Sequence, residues 1–287
     1  MTRGHGPRVY GGVTPFVHCV DRTLLSPVAC DDLVRLGAPN DGGYVVPARA
    51  IARASTLLSF GLDKNWDFEQ DAAALNPQMT VHVYDPSVRR RDFLEQGVRS
   101  AVSVPLRFLS FSPRGAQSSY RRARQAAGYF SFFRGRVTHH EKRVWYNDDR
   151  GSASIDTIID ACDAEPLSVF AKIDIEGTEY RVLPAIIQRA ELFTGLAVEF
   201  HDTDTCSSIF NAELRQLRRH FEVVHVHGNN YGDLSVDRGI PLTLEISFLN
   251  RALLAGAPVP YVGPLPRPGL DSPNDARLPD YILDLTA

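Results

Sequence analysis

Along much of this chain, short apolar runs typical of buried strands take turns with stretches whose apolar residues recur at helical spacing. Leu24, Leu25, Val28, Leu33 and Leu36 predict a helix over 20–36 that ends near Gly37. Asp41-Gly42-Gly43 predicts a tight turn, because glycine tolerates positive φ, and a short strand follows that Pro47 closes. TLLSFGL (Thr56–Leu62) reads as a buried strand ending on Gly61. Residues 66–75, with Trp66, Phe68, Ala72, Ala73 and Leu75, predict a helix stopped by Asn76-Pro77. TVHVY (Thr80–Tyr84) is the next strand, ending on Asp85-Pro86, and 88–97 the next helix. The pattern weakens between 100 and 150. There it predicts a strand over 101–106, a basic helix around 117–127 and a strand near 142–146. Tyr129, Phe130, Phe132 and Phe133 are assigned to the core, since monomers rarely expose aromatic patches, with a substrate-facing flap as the alternative.

Beyond Ser154 the periodicity sharpens. It predicts a helix over 155–161 capped by Ser154, a strand over 168–175, and a helix bearing Val182, Leu183, Ile186, Ile187 and Ala190. A strand over 195–200 leads to a helix over 209–221 with Ile209, Phe210, Leu214, Leu217 and Phe221 on one face. Strands over 223–226 and 242–249 follow, separated by the loop HGNNYGDLSVDRGIP. From Gly256 onward Pro258, Pro260, Pro264, Pro266, Pro268 and Pro273 predict an extended tail packed on the surface. Strands alternating with helices imply an α/β domain around a doubly wound, mostly parallel sheet. The last two strands have no helix between them and predict an antiparallel edge pair.

Reactive side chains gather at two neighbouring strand ends. SVFAKIDIEG delivers Asp174 and Glu176, and GLAVEFHD delivers Glu199 and His201. Ligands of open α/β sheets bind beyond the carboxyl ends of the strands, so these four residues mark a reaction site. Strand alternation puts Asp174 with Glu176, Glu199 with His201, and His225 with His227 on common sides. His201 can serve as general base or ligand, Asp174 as metal or substrate ligand, and His227 as second ligand or base. Asn229 and Asn230 can hold substrate hydroxyls. Plainer roles compete: Asp174 or Glu176 suits the cap of the helix starting near Thr178, Glu199 can pair with Lys172, and the DGG turn accounts for Asp41. His139 and His140 are expected to face solvent.

KIDIEGTEYRVL, VEFH, the HVHGNNYG loop and LEISF resemble the FkbM-type family of S-adenosylmethionine-dependent methyltransferases. Upstream, NDGGYVV, LLSFGLDKNWDFE and VHVYDPS resemble a related methyltransferase-like branch. The resemblance spans about residues 39–250 and is patchy from 100 to 150. It implies a class I methyltransferase-like, Rossmann-like fold and O-methyl transfer to a hydroxyl of a sugar, glycan or glycosylated natural product. It divides the chain into an N-terminal helix and hairpin (1–50), a methyltransferase domain (51–255) and a Pro-rich extension (256–287). For the cofactor it implies Gly61 beside the methionine part and Asp85 on the ribose hydroxyls. Asp63 and Glu69 would line the same site, with Asp41 and Tyr44 in reach. Glu199, Asn229 and Asn230 would meet substrate, and a magnesium or manganese ion on Asp174, His201 and His227 could activate the hydroxyl. SFGLDKNWDFE has a single glycine where such loops usually have several. A metal-dependent hydrolase or oxygenase using the same His/Asp cluster, and a non-catalytic cofactor- or glycan-binding relative, are the competing readings.

Composition narrows the classes. With 287 residues, 44% hydrophobic and 23% charged, the chain has material for a large core. A net charge of -3 offers nothing to attract nucleic acid, and Arg121, Arg122 and Arg124 read as a solvated helix face. Cys19, Cys30, Cys162 and Cys206 are scattered, without metal-site or disulfide spacing. With no run of 18 apolar residues and no signal-peptide pattern, a cytoplasmic protein acting on a small-molecule or glycan acceptor is expected. Oligomeric state is not encoded in any pattern here.

Overall fold

The computed structural model describes residues 19–109, 113–235 and 239–285. Leu33–Leu36 (β1) pairs antiparallel with Tyr44–Pro47 (β2) across the DGG turn, and Ala48–Arg53 (α1) follows. Thr56–Phe60 (β3), Asp67–Leu75 (α2) and Thr80–Tyr84 (β4) then build the first strand–helix–strand unit. Arg90–Leu109 (α3) and Pro113–Phe132 (α4) pack along one another before Val137–His140 (β5). Arg143–Trp145 (β6) and Ser152–Ser154 (β7) form a small parallel pair. The second half runs through Ile155–Asp160 (α5), Val169–Ile173 (β8), Glu179–Gln188 (α6), Phe193–Phe200 (β9) and Ser207–Leu217 (α7). It closes with Phe221–Gly228 (β10) and Leu244–Asn250 (β11).

Seven strands make the central sheet in the order β5-β4-β3-β8-β9-β11-β10. β11 runs against both neighbours and the others run parallel to each other. The last two strands pair antiparallel as expected, but β11 inserts between β9 and β10 instead of extending the edge. Each face of the sheet carries an apolar layer. Leu58, Phe60, Ala171, Ile173 and Val198 belong to one, and Leu57, Phe170 and Ala197 to the other. Phe60, Phe170 and Phe200 are fully buried, each stabilising the fold by about 1.5–3 kcal/mol. None of the helices searched is long and apolar enough to cross a membrane.

Four expectations change. The helix over 20–36 is replaced by a 3-10 turn at Arg22–Leu24 and by β1. Pro27 lacks an amide hydrogen, while Val28 N–H bonds Val223 O and Leu33–Leu36 finds a ladder partner in β2. The segment 101–106 continues α3 and is not a strand. In the helix over 209–221, Ile209 is half exposed and Phe221 already starts β10. The aromatic cluster follows expectation at Tyr129, which is buried, with Phe130, Phe132 and Phe133 packed on the same core.

The tail is the fourth change, for it is tied into the sheet. Leu265 and Leu283 join the core, and Arg267, Asn274 and Asp275 are buried. His225 Nε2 lies 2.9 Å from Asp271 Oδ1. His227 sits between Glu245 on β11 (3.0 Å) and Asp280 of the tail (3.0 Å). Asn230 Nδ2 donates to the carbonyls of Asp275, Leu278 and Pro279, and its Oδ1 accepts from Asp275 N–H. Two residues expected near substrate, His227 and Asn230, therefore hold the tail.

With a carboxylate on each ring nitrogen, His227 is an imidazolium. Burial opposes the charge, but the bonds to Asp280 and Glu245 push its pKa up to about 10 from 6.5. A folded pKa above the unfolded one means this stabilisation is complete below about 6.5 and is lost as pH rises through about 10. Thermal melts across that range should show wild-type Tm falling more steeply than that of His227→Gln. Equal slopes would show that the ion pair does not fasten the tail.

Candidate active site

The chain steps outward from β3 to β4 to β5, then returns to the other side of β3 as β8. That reversal is the topological switch point, where open α/β sheets bind ligands. A cavity of about 480 Å³ opens there, with Gly61, Asp63, Glu69, Asp85, Lys172 and Asp174 in its wall. Arg143, Val144 and Trp145 close another side, and Asp41 stands at the exposed rim. Its size is in the range of small-molecule sites.

Gly61 makes the turn out of β3 with φ +88°, and a Cβ there would lie 1.7 Å from Asp174 O. Only glycine fits between the two strand ends. The next positions differ from a glycine-rich loop: Asp63 (φ 36°) and Lys64 (φ 66°) hold left-handed backbone without being glycine. Such residues persist where their surroundings fix them. Asp85, at the end of β4, supplies that support. Its Oδ2 accepts from Leu62 N–H at 2.8 Å and Asp63 N–H at 3.1 Å, and its Oδ1 from Ser87 N–H at 2.6 Å. Burial works against the charge, yet the Ser87 hydroxyl together with these amide bonds holds Asp85 below the usual carboxylate range. With these bonds in place Asp85 lines the cavity.

The floor is a row of ionisable groups on one face of the sheet. Lys172 lies opposite Ser59 in the β3–β8 register. Its ammonium donates to Gly61 O at 2.9 Å and to Asp174 Oδ2 at 3.2 Å. Burial opposes the charge of both, but each holds the other: Lys172 is shifted up and Asp174 down. Ser59 Oγ donates to Glu69 Oε1 at 2.5 Å, and burial pushes Glu69 up. Tyr44, carried over the row by the β1–β2 hairpin, lies 3.0 Å from Asp174 Oδ2 and 2.9 Å from Glu199 Oε2. Asn229 Nδ2 donates to Glu199 Oε1 at 2.7 Å. Burial, then Asp174 and Glu245, push Glu199 well above the ordinary carboxylate range.

His201 follows β9 and stands beside Asp174 and Glu176. Its Nδ1 lies 2.9 Å from Glu179 Oε1, and its Nε2 3.5 Å from Glu176 Oε2. Burial disfavours the imidazolium, but Glu179, Glu199 and Asp174 push it up to about 9. Glu179 Oε1 also accepts from Ile175 N–H and Gly177 N–H. That carboxylate, not Asp174 or Glu176, fastens the loop before α6. Tyr180 Oη donates to His201 O at 2.7 Å, fixing the backbone on the other side.

Several expected residues thus take other places. Tyr44 is buried under Asp174 and does not face the cavity, and Glu199 pairs with Tyr44 and Asn229 instead of Lys172. His139 bonds Tyr129 Oη (2.6 Å) and Asp85 O (3.1 Å), and His140 stacks on Tyr84 at 4.3 Å. Neither faces open solvent. The set Asp174, His201 and His227 does not assemble; ligand atoms of Asp174, Glu176 and His201 come within 4.8 Å of one another, without His227. That trio, and not the set with His227, is the candidate metal group. A cation there would compete with the Lys172 ammonium for Asp174 and would displace the proton from His201, since a ligating imidazole is neutral. Lys172, Glu179 and Trp145 were not picked out as site residues from sequence. Lys172 had a signal, being one of three lysines and the only one inside an apolar strand.

Numbered within the sheet alone, the strands run 3-2-1-4-5-7-6, with the seventh reversed. The fold is class I methyltransferase-like. No protein-family model matches the sequence, and no curated protein aligns with it significantly. Among solved structures it is similar to the Methanococcus jannaschii fibrillarin pre-rRNA processing protein: TM-score 0.35, 9% identity, over 70% of this chain and 68% of that one. It is also similar to precorrin-6y C5,15-methyltransferase from Geobacter metallireducens (TM-score 0.33, 11% identity, 71% and 87% coverage). A predicted O-methyltransferase from Agrobacterium tumefaciens superposes likewise (TM-score 0.32, 10% identity, 71% and 80% coverage). The strand order, and not these partial superpositions, carries the fold.

Two measurements check the geometry. Gly61→Ala should lower stability by roughly 2–4 kcal/mol through strain and crowding, read from denaturant midpoints; an unchanged midpoint would mean that β3 and β8 can separate freely. In NMR titrations His201 should lose its proton near pH 9 in wild type and at lower pH in Glu179→Gln. A matching titration in both would remove Glu179 as the group that holds the imidazolium.

Proposed function

We propose that this chain is an S-adenosylmethionine-dependent O-methyltransferase. The observation that carries the reading is the cavity at the switch point, bounded by the Gly61 turn on one strand end and Asp85 on the next. In this reading the Gly61–Asp63 backbone meets the amino-acid part of the cofactor and Asp85 accepts a ribose hydroxyl. Val144 and Trp145 offer an apolar wall to the base. The FkbM-type resemblance supplies the acceptor class, a hydroxyl of a sugar, glycan or glycosylated natural product.

Methyl transfer forms a carbon–oxygen bond as the carbon–sulfur bond breaks, and the hydroxyl proton needs a base. His201 suits that task, since Glu179 engages Nδ1 and Nε2 lies beside Glu176, which lines the cavity. Only the neutral imidazole can take the proton. Turnover should therefore rise with pH through the His201 pKa, about 9 in the free protein. Asp174, anchored by Lys172, directs its remaining oxygen at the ligand.

Calorimetric titration with S-adenosylmethionine and S-adenosylhomocysteine tests the cofactor, and micromolar binding of either is expected. Binding of neither would overturn the proposal. With the cofactor established, sugar acceptors can be screened for methyl transfer. His201→Ala should then keep cofactor binding and lose about 100-fold or more in turnover; unchanged turnover would exclude His201 as the base.

A further inference from the structure

The Tyr44 hydroxyl lies within hydrogen-bond distance of two carboxyl groups, Asp174 Oδ2 at 3.0 Å and Glu199 Oε2 at 2.9 Å. A phenol has one proton to donate, and an ionised carboxylate only accepts. One of the two contacts therefore needs a second proton, and it must reside on a carboxyl. Asp174 is not the carrier, because the Lys172 ammonium donates to the same Oδ2. Among the described residues Glu199 has no cation on either oxygen: Oε1 accepts from the Asn229 amide and Oε2 faces Tyr44.

Sheet register adds an independent argument. Glu199 on β9 is directly opposite Glu245 on β11, and Glu245 is directly opposite His227 on β10. Glu199 and Glu245 are both nearly inaccessible to water, and like charges directly opposite in a sheet repel. Glu245 is satisfied by the His227 imidazolium and by Asn274 Nδ2 at 2.6 Å. A proton on Glu199 removes the repulsion, and among the described residues no cation contacts it. The charged groups around Glu199 are then Asp174, Lys172, Glu245 and His201, with Glu69 further along the row.

We infer that Glu199 is a neutral carboxylic acid that donates to Tyr44, and that Tyr44 in turn donates to Asp174 and aims it at the cavity. Asp174 Oδ2 is saturated by Tyr44 and Lys172, while Oδ1 has no hydrogen bond from the described residues. Glu199 is accordingly a positioning residue and touches no ligand. Its protonation rests on geometry alone; only the benefit to ligand binding rests on the methyltransferase reading.

Infrared spectra of the full chain in water and deuterium oxide test this directly. Wild type should show the carbonyl stretch of a protonated carboxylic acid at neutral pH, shifted in deuterium oxide and absent from Glu199→Gln. The glutamine amide can donate to Tyr44 and accept from Asn229, so Glu199→Gln should bind S-adenosylhomocysteine within about twofold of wild type. Tyr44→Phe breaks the chain without adding volume. It should weaken binding about tenfold, the cost of roughly one hydrogen bond, and shift the acid band. A wild-type spectrum without that band, or Glu199→Gln behaving like Tyr44→Phe, would overturn the inference. Failure of every variant and wild type to bind S-adenosylhomocysteine would sink the cofactor reading instead, and the infrared band would still decide the state of Glu199.

Discussion

The structure depends on satisfying a row of ionisable groups that crosses one face of the sheet away from water. Lys172, Asp174, Glu199, Glu245 and His227 stand on neighbouring strands, and all except Asp174 are nearly inaccessible. An unpaired charge in such a place would cost more than most single contacts can return. Each group therefore has a specific partner: Lys172 has Asp174, His227 has Glu245 and Asp280, and Glu199 has Tyr44 and Asn229. These pairings explain why the β1–β2 hairpin and the tail must sit where they do. The hairpin brings Tyr44, and the tail brings Asp280 and Asn274.

The same row shapes the cavity. β3 and β8 stay paired to their ends, where Asp174 N–H bonds Phe60 O, and Lys172 ties the turn after β3 to β8 by bonding Gly61 O and Asp174. Asp85 then braces the turn after β3 from the next strand, which allows Asp63 and Lys64 to keep positive φ. One glycine suffices because a neighbouring carboxylate does the work that further glycines do elsewhere. His201 is set by a different element, the first turn of α6, through Glu179. The cavity floor and the candidate base are thus anchored independently.

Histidines that look equivalent in sequence end in three environments. His201 lies at a strand end, half-buried, with Nδ1 on Glu179 and Nε2 beside Glu176. His225 is buried against Asp271, and burial keeps its pKa low despite that carboxylate. His227, two residues on, has a carboxylate on each nitrogen and is an imidazolium. Strand alternation places His225 and His227 on one side, but what meets them is the tail, not a ligand.

The sequence alone determined the parts governed by local periodicity. The strands at Thr56–Phe60, Thr80–Tyr84 and Phe193–Phe200, the Ser154 cap, the DGG turn and the clustering of Asp174, Glu176 and His201 were legible because spacing, turn chemistry and strand ends are short-range properties. The helix over 20–36 was misread because a lone strand borrows its partner from β2, which spacing within the segment does not reveal. Only the tertiary structure decided which polar groups meet. Tyr44 and Glu199 are 155 residues apart, and His227 and Asp280 53 apart. A buried charge is assigned its role by the partner that packing brings to it, and that partner is not encoded in its own stretch of chain.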